Sequence, residues 1–406
     1  MLNVREIGID ELKPWESNPR DNDTAVDAVA RSISSFGFNV PILCDASLTI
    51  VAGHTRWKAA RKLGLTQVPA IVLDLSDTQR RAFAVADNKT AEVAEWDIPK
   101  LRDILSELRE EEVDLENLGY SGAELRKILF DDTLEDALPE LSEKTLTRVG
   151  DLWVLGTHRL FCGNSADDGA LAVLAEGRQV DHVFAGPPCF NQKGLGCWDS
   201  YPAYLQSMRQ VMLGCLAALR DGSVLVWNIG NGSADGHDHS GHHSVLLEDC
   251  GLRYLDTIVW KKTGANFSIP RNCHIRRNRL YYPAFGWEAL LVYQKPGDMP
   301  KMSEAGLQYM ASYQTNVWEI SAVTRQLEQY GHPGVCPVEV PYRTLLAYTI
   351  PGATVLDPFG GSGTTLIAAE QTGREALLME VSPRFCDMAV KRWEGFTGKK
   401  AARLNS

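Results

Sequence analysis

At 406 residues the chain is too long for one ordinary hydrophobic core, since single cores stop growing at about 250 to 300 residues, and two domains are expected. An apolar fraction of 44% with 23% charged residues matches an ordinary soluble globular protein and excludes a disordered chain; no run reaches the about 18 apolar residues of a membrane span. A formal charge of −11 argues against nonspecific coating of nucleic acid but leaves room for a local basic face.

The first residues, MLNVREIGID, lack the basic start and apolar core of a secretory signal, so a cytoplasmic protein, in a bacterial host or a phage-infected cell, is expected. Up to about residue 95, NVPILCD and VPAIVLDL predict strands, and AVDAVARSISSFG and TRWKAARKLG predict helices. Residues 96–146 are expected to form a charged helical connector, with Leu and Ile at spacings of three and four. From residue 147 strands and helices alternate: RLFCGN, VDHVFAG, SVLVWNIG, LDTIVWKK, EALLVYQK, ATVLDPFG and EALLMEVS. Several are continuous apolar runs, which predicts a mostly parallel sheet covered on both faces. The stretch GNGSADGHDHSGHH predicts a flexible loop that touches DNA or closes over it; its His237, His239, His242 and His243 lack the spacing of a known metal site, and no metal is expected.

Nine cysteines without a C-x-x-C pair make neither a disulfide framework nor a zinc ribbon. Between Arg253 and Arg279 lie Lys261, Lys262, Arg271, Arg276, Arg277 and Arg279, opposed only by Asp256, a basic segment suited to phosphate and guanine contacts.

Near the C-terminus, ATVLDPFGGSGTTLIAAEQTG reads as a strand, an acidic residue, a Gly-rich turn and a helix, which brings backbone amides to a nucleotide-like ligand at the strand's carboxyl end. It resembles the cofactor loop of amino-methylating DNA methyltransferases, and the resemblance extends through GDLWVLGTHRLFCGNS, IVWKKTG, NVWEIS, HPGVCPVEVPYRTLL and EALLMEVSPRF over most of residues 147–395. It implies a Rossmann-like domain over residues 147–406 that binds S-adenosylmethionine. Asp357, Phe359, Gly361, Ser362, Gly363, Thr364 and Thr365 would cradle the cofactor and Glu380 would bind its ribose hydroxyls. Asn164 stands where the family usually has Asp near the adenine.

The segment DHVFAGPPCF departs from that family, whose Asp-Pro-Pro-Tyr supplies an acceptor for the amine being methylated and an aromatic that stacks on the flipped base. Gly186, Pro187, Pro188 and Cys189 instead resemble the Gly-Pro-Pro-Cys of cytosine carbon-5 methyltransferases, whose thiolate adds to carbon 6 so that carbon 5 becomes nucleophilic. The carbon-5 family's Glu-Asn-Val is matched only by Asn228, in Trp-Asn-Ile, and its Arg-x-Arg by Arg277 and Arg279; Glu288 is a candidate for the missing acid, and Cys336 for a second functional thiol.

Residues 1–95, with SNPRDND and GHTRWKAARKLG, resemble the ParB-like domain, an α+β module; this implies phosphate binding by Gly53, His54, Thr55, Arg56, Asn18 and Arg20, with a nucleoside triphosphate as a further candidate ligand. ParB-like and methyltransferase modules are joined in phages and mobile elements among the proteins it resembles. The expectation is an S-adenosylmethionine-dependent enzyme acting on double-stranded DNA, with room for a homodimer, that flips a cytosine out of the duplex and methylates its carbon 5 through Cys189. Methylation of adenine N6 or cytosine N4, and a noncatalytic DNA-binding regulator, are the rival readings.

Overall fold

The computed structural model describes residues 3–20, 22–91, 96–111, 113–120, 122–129, 136, 138–139, 145–190, 198–230, 236–263, 286–323 and 335–404. The chain forms two compact units, Met1–Phe130 and Asp131–Ser406.

In the first unit, β1 (Val4–Gly8), β2 (Ile42–Asp45), β3 (Ile50–Ala52) and β4 (Gln67–Leu73) form a sheet in the order β1-β4-β2-β3, with β4 antiparallel to β1 and parallel to β2. Alternating burial along β2 sends Ile42 and Cys44 into a core with Ile7, Ile50, Trp57 and Val68. Trp57 ties the helix His54–Lys62 to the opposite side of this core by donating its indole N–H to the Ile9 carbonyl at 3.1 Å. The predicted connector has a core of its own. Leu101 and Leu105 of the helix Ile98–Glu110 bury against Leu115 and against Leu125 of the helix Gly122–Leu129, because leucines three and four residues apart share one helix face.

The second unit is built on β5 (Leu152–Leu155), β6 (His158–Cys162), β7 (Val180–Ala185), β8 (Leu219–Ile229), β9 (Arg253–Thr263), β10 (Trp287–Gln294), β11 (Val317–Ser321), β12 (Thr354–Asp357), β13 (Glu375–Glu380) and β14 (Ala402–Leu404). The sheet order is β11-β9-β10-β8-β7-β12-β13-β6-β5-β14. Parallel pairing joins β8 to β7, β7 to β12, β12 to β13 and β13 to β6, so these strands end at one sheet edge. The continuous apolar run of β7 has the cause the sequence suggests. Val183 and Ala185 pack under the helix Tyr201–Ala218, while Phe184 packs on the other face with Val226, Leu290 and Trp260. Strand β10 runs antiparallel between β8 and β9, which brings Glu288, near its amino end, to the edge where the parallel strands finish. The whole is α/β: a Rossmann-like, mostly parallel sheet in one unit and a small α+β fold in the other.

The predicted histidine loop needs correction. His239–Asp249 is a helix, capped by the Asp238 carboxylate accepting the Gly241 amide at 3.1 Å, and it carries three of the four histidines. The Gly and Ser content hid it, and residues 231–235 of the stretch lie outside those described.

Candidate functional site

At the end of β12 the backbone turns sharply, and the side chains of the turn satisfy it from within. Asp357 accepts hydrogen bonds from the Phe359 amide at 2.9 Å and the Thr365 hydroxyl at 2.5 Å. Gly363 adopts φ +82°, and a Cβ there would lie 2.9 Å from the Ala389 Cβ, so only glycine lets the helix Thr364–Thr372 begin here against its neighbour. Arg392 donates to the Ser362 carbonyl at 3.2 Å and to the Thr364 hydroxyl at 3.1 Å, closing the turn from behind.

Glu380 ends the next strand. Its two carboxylate oxygens each accept one main-chain amide, Gly361 and Ser382, both at 2.8 Å. Each oxygen keeps a lone pair, the capacity needed to accept a pair of vicinal hydroxyls. Burial pushes the carboxyl of Glu380 up to about 7 and that of Asp357 to about 6, in both cases chiefly by desolvation of the charged form.

A cavity of about 230 Å³ opens in front of these strand ends. Its lining joins Asn164 and Glu380 to Phe359, Trp198 and Pro188, so the Gly-rich turn, the end of β6 and the Gly-Pro-Pro-Cys segment face one space. Asn164 is exposed, and its amide donates to Asp167 at 2.9 Å. The donor set, the cavity and the amide-rich turn fit the adenosine part of S-adenosylmethionine. A larger cavity of about 310 Å³ lies between the helices Ala170–Ala175 and Tyr201–Ala218 and shares Ser165 and Ala166 with the first, but no strand-end carboxylate lines it.

The Gly-Pro-Pro-Cys segment follows β7 directly. Gly186 is exposed and Pro187 buried. The Pro188 carbonyl accepts the Tyr204 hydroxyl at 3.0 Å, and the Cys189 thiol lies 3.8 Å from the Gly230 carbonyl. Around Cys189 is a shell that sequence reasoning missed: Phe190 edges onto Tyr201, and Tyr201 stacks on His237 with ring centroids 3.6 Å apart. Trp227 donates its indole N–H to His243 at 2.7 Å and meets the Phe359 ring edge-on at 5.8 Å, which links this shell to the cofactor turn. Burial lowers His243 to about 3, so it is a neutral packing and hydrogen-bonding group at physiological pH. The legible signal was the Tyr201 and Tyr204 pair, three residues apart on one helix face. The described residues contain no group of three or more side chains able to hold a metal ion.

The remaining predicted residues are spread more widely. Asn228 is buried on β8, one residue before the strand ends. Lys261 pairs with Glu319 at 2.6 Å and Lys262 with Glu288, so both lysines expected to meet DNA are engaged within the sheet edge. Arg271, Arg276, Arg277 and Arg279 lie outside the described residues. Burial raises the thiol of Cys336 well above its ordinary value, which fits packing rather than nucleophilic work. In the first unit Gly53 adopts φ +104°, and a Cβ there would come 3.0 Å from the Arg56 guanidinium. His54 accepts the Trp15 amide at 3.1 Å, Arg56 donates to the Val40 carbonyl at 3.1 Å, and Arg20, whose amide approaches Asn18 Oδ1 at 3.3 Å, reaches Asn88 at 2.8 Å. Thr55 is partly buried on the first turn of the same helix.

Residues 180–391 match the DNA methylase family of N6/N4 amino-methyltransferases, and residues 1–89 match the ParB N-terminal domain. The first match takes in more than half of the chain, and the chain belongs to that DNA methylase family, with a ParB N-terminal domain ahead of the methylase. It is 24% identical over 242 residues to the type II beta methyltransferase M.BslI of Bacillus sp. (strain NEB-606), covering 54% of this chain and 26% of that protein. It is 31% identical over 164 residues to the type II methyltransferase M.BglI of Bacillus subtilis, covering 39% of this chain and 44% of that one. Its first residues are 37% identical over 90 residues to a chromosome 2-partitioning protein ParB of Deinococcus radiodurans, covering 21% of this chain and 31% of that one. The chain thus spans less than half the length of each of these relatives. Among solved structures it is similar to the DNA modification methylase TTHA0409 of Thermus thermophilus complexed with S-adenosyl-L-methionine, at 25% identity and a TM-score of 0.46, covering 60% of this chain and 97% of that one.

Proposed function

We propose that this protein transfers the methyl group of S-adenosylmethionine to the exocyclic amine of a base in double-stranded DNA, adenine N6 or cytosine N4. The observation that carries the reading is the cavity bounded by Glu380, Phe359 and Pro188, in a chain of the amino-methylating family. When bound, S-adenosylmethionine supplies an electrophilic methyl group on a sulfonium sulfur. Glu380 would take the ribose hydroxyls, Asn164 would lie toward the adenine, and the amides of the turn after Asp357 would face the rest of the cofactor. The two prolines hold the backbone beside the cavity in one conformation, and Tyr204 fixes the Pro188 carbonyl, so the base meets a preformed wall.

The carbon-5 expectation is revised here to second place. Its support is the Gly-Pro-Pro-Cys segment bordering the cavity. Against it, the family is amino-methylating, and the Cys189 thiol is engaged with the Gly230 carbonyl at 3.8 Å. Digestion of methylated duplex to nucleosides, followed by mass spectrometry, separates the two: N6-methyladenine or N4-methylcytosine is expected, and 5-methylcytosine would overturn the proposal. For the N-terminal module we propose binding of a nucleoside triphosphate at the start of the helix His54–Lys62, through Gly53, Thr55 and Arg56 with Asn18 and Arg20 nearby; isothermal titration with nucleotides tests it.

A further inference from the structure

The amino-methylating reading leaves one chemical gap. Where the family has a carboxylate to accept a hydrogen bond from the amine, this chain has Gly186, and a Cβ built there meets none of the described residues within 4 Å. Among the described residues, therefore, no neighbour fills the space the missing side chain leaves at the sheet edge.

Sheet pairing shows what borders that space. Ala185, the last residue of β7, pairs with Trp227 of the adjacent parallel strand, so Gly186 and Asn228 are the next residues along each chain. Asn228 in turn pairs with Leu290 of β10, and Glu288, two residues away, shares Leu290's face. Gly230, at the end of β8, has no side chain, and a Cβ built on it would lie 3.4 Å from Glu288 Cγ and 3.6 Å from its Oε1. Two glycines thus clear the edge around two polar side chains.

Both side chains carry acceptor capacity that no described residue uses. Asn228 is 7% exposed, and its Oδ1 is buried with no hydrogen-bond partner among the described residues. Leaving a buried carbonyl unpaired costs free energy, which a ligand donor would recover. Lys262 engages Oε1 of Glu288 and holds the side chain in place, while Oε2 has no hydrogen-bond partner among the described residues. A base amine has two N–H donors and needs two acceptors.

We propose that Asn228, reaching in from β8 beside β7, and Glu288, from β10 on the far side of β8, supply the acceptors for the exocyclic amine of the target base that the Gly-Pro-Pro-Cys segment lacks. This rests on the amino-methylating reading above. Lys262 is then a positioning residue, which orients Glu288 without touching the base, and Gly186 provides room for the base edge.

The test compares the full chain with Glu288→Gln, Asn228→Leu and the double variant Glu288→Gln/Gly186→Asp, measuring kcat and KM for a methylatable duplex, the product nucleoside and S-adenosylmethionine affinity. The single variants are expected to lose about 100-fold in kcat, the size of effect seen when one preorganised polar contact is removed from a transition state, with cofactor affinity unchanged. The double variant is expected to recover at least about tenfold of that loss, because no described residue occupies the space the restored carboxylate enters. A Glu288→Gln/Lys262→Met variant, which leaves no unpaired cation, covers the case in which Glu288→Gln alone misfolds; it is expected to show the same loss. An amine-methylated product with kcat kept within about threefold in the folded variants overturns this inference and leaves the reading of the chemistry intact. A ring-carbon product from the unsubstituted protein overturns the reading itself.

Discussion

Glu380 and Asp357 show the conflict between binding and stability at single residues. Each is a carboxyl whose pKa is raised by burial, from ordinary values of 4.5 and 3.8 to about 7 and about 6. In those windows the folded state keeps a proton that the unfolded chain has released, so stability falls as pH rises from about 4 to about 7. Glu380→Gln is therefore expected to raise the melting temperature at pH 8 but not at pH 4, and to weaken S-adenosylmethionine binding at least tenfold by removing an ionised acceptor. Differential scanning fluorimetry at the two pH values, with titration calorimetry at pH 8, checks both; a lower melting temperature at pH 8 would show that the buried charge is compensated. The same residue illustrates what was legible. A carboxylate ending a strand after a Gly-rich turn could be picked out of the string, because strand, turn and carboxylate are contiguous or nearly so. Asn228 and Glu288 are 60 residues apart and become neighbours only through the pairing of β8 with β10.

The elements follow the same division. Strands β7, β8, β10, β12 and β13 were readable because each is a short run of apolar residues buried on both faces, and that burial is recorded in composition. The antiparallel direction of β10 was not, since direction depends on the connection and not on local residue choice. The helix His239–Asp249 was hidden for another reason: its first turn is polar and Gly-containing, and besides Leu247 its buried residues are His239 and His243, set edge-on or tilted against Tyr204, which no hydrophobic period reports. Two substitutions test how these elements hold the site. Trp227→Phe removes the donor to His243 and leaves a buried ring nitrogen unpaired; a loss of about 1 to 3 kcal/mol is expected in urea unfolding. Gly363→Ala forces a Cβ into the left-handed region and to 2.9 Å from Ala389, and is expected to destabilise the second unit by at least about 2 kcal/mol. A neutral result for either would mean that the turn after β12 relaxes more freely than its packing implies.

At the scale of the whole molecule, each unit carries its own buried core: Ile42, Ile50, Trp57 and Val68 with the separate leucine cluster in the first, and two clusters on opposite faces of the large sheet in the second. Residues 1–130 expressed alone are expected to fold and melt cooperatively by circular dichroism, because both of their cores close within that span. A noncooperative melt would show that the first unit depends on the second. The chemistry belongs to the second unit, and its central claim is that the thiol of Cys189, which packs against the core beside the cavity, does not attack the base. The most direct measurement is incubation of the protein and S-adenosylmethionine with duplex containing 5-fluorocytosine, followed by denaturing electrophoresis and intact mass. The account predicts no protein–DNA adduct while methyl transfer to amine-bearing duplex proceeds; a stable adduct that disappears in Cys189→Ser would contradict it.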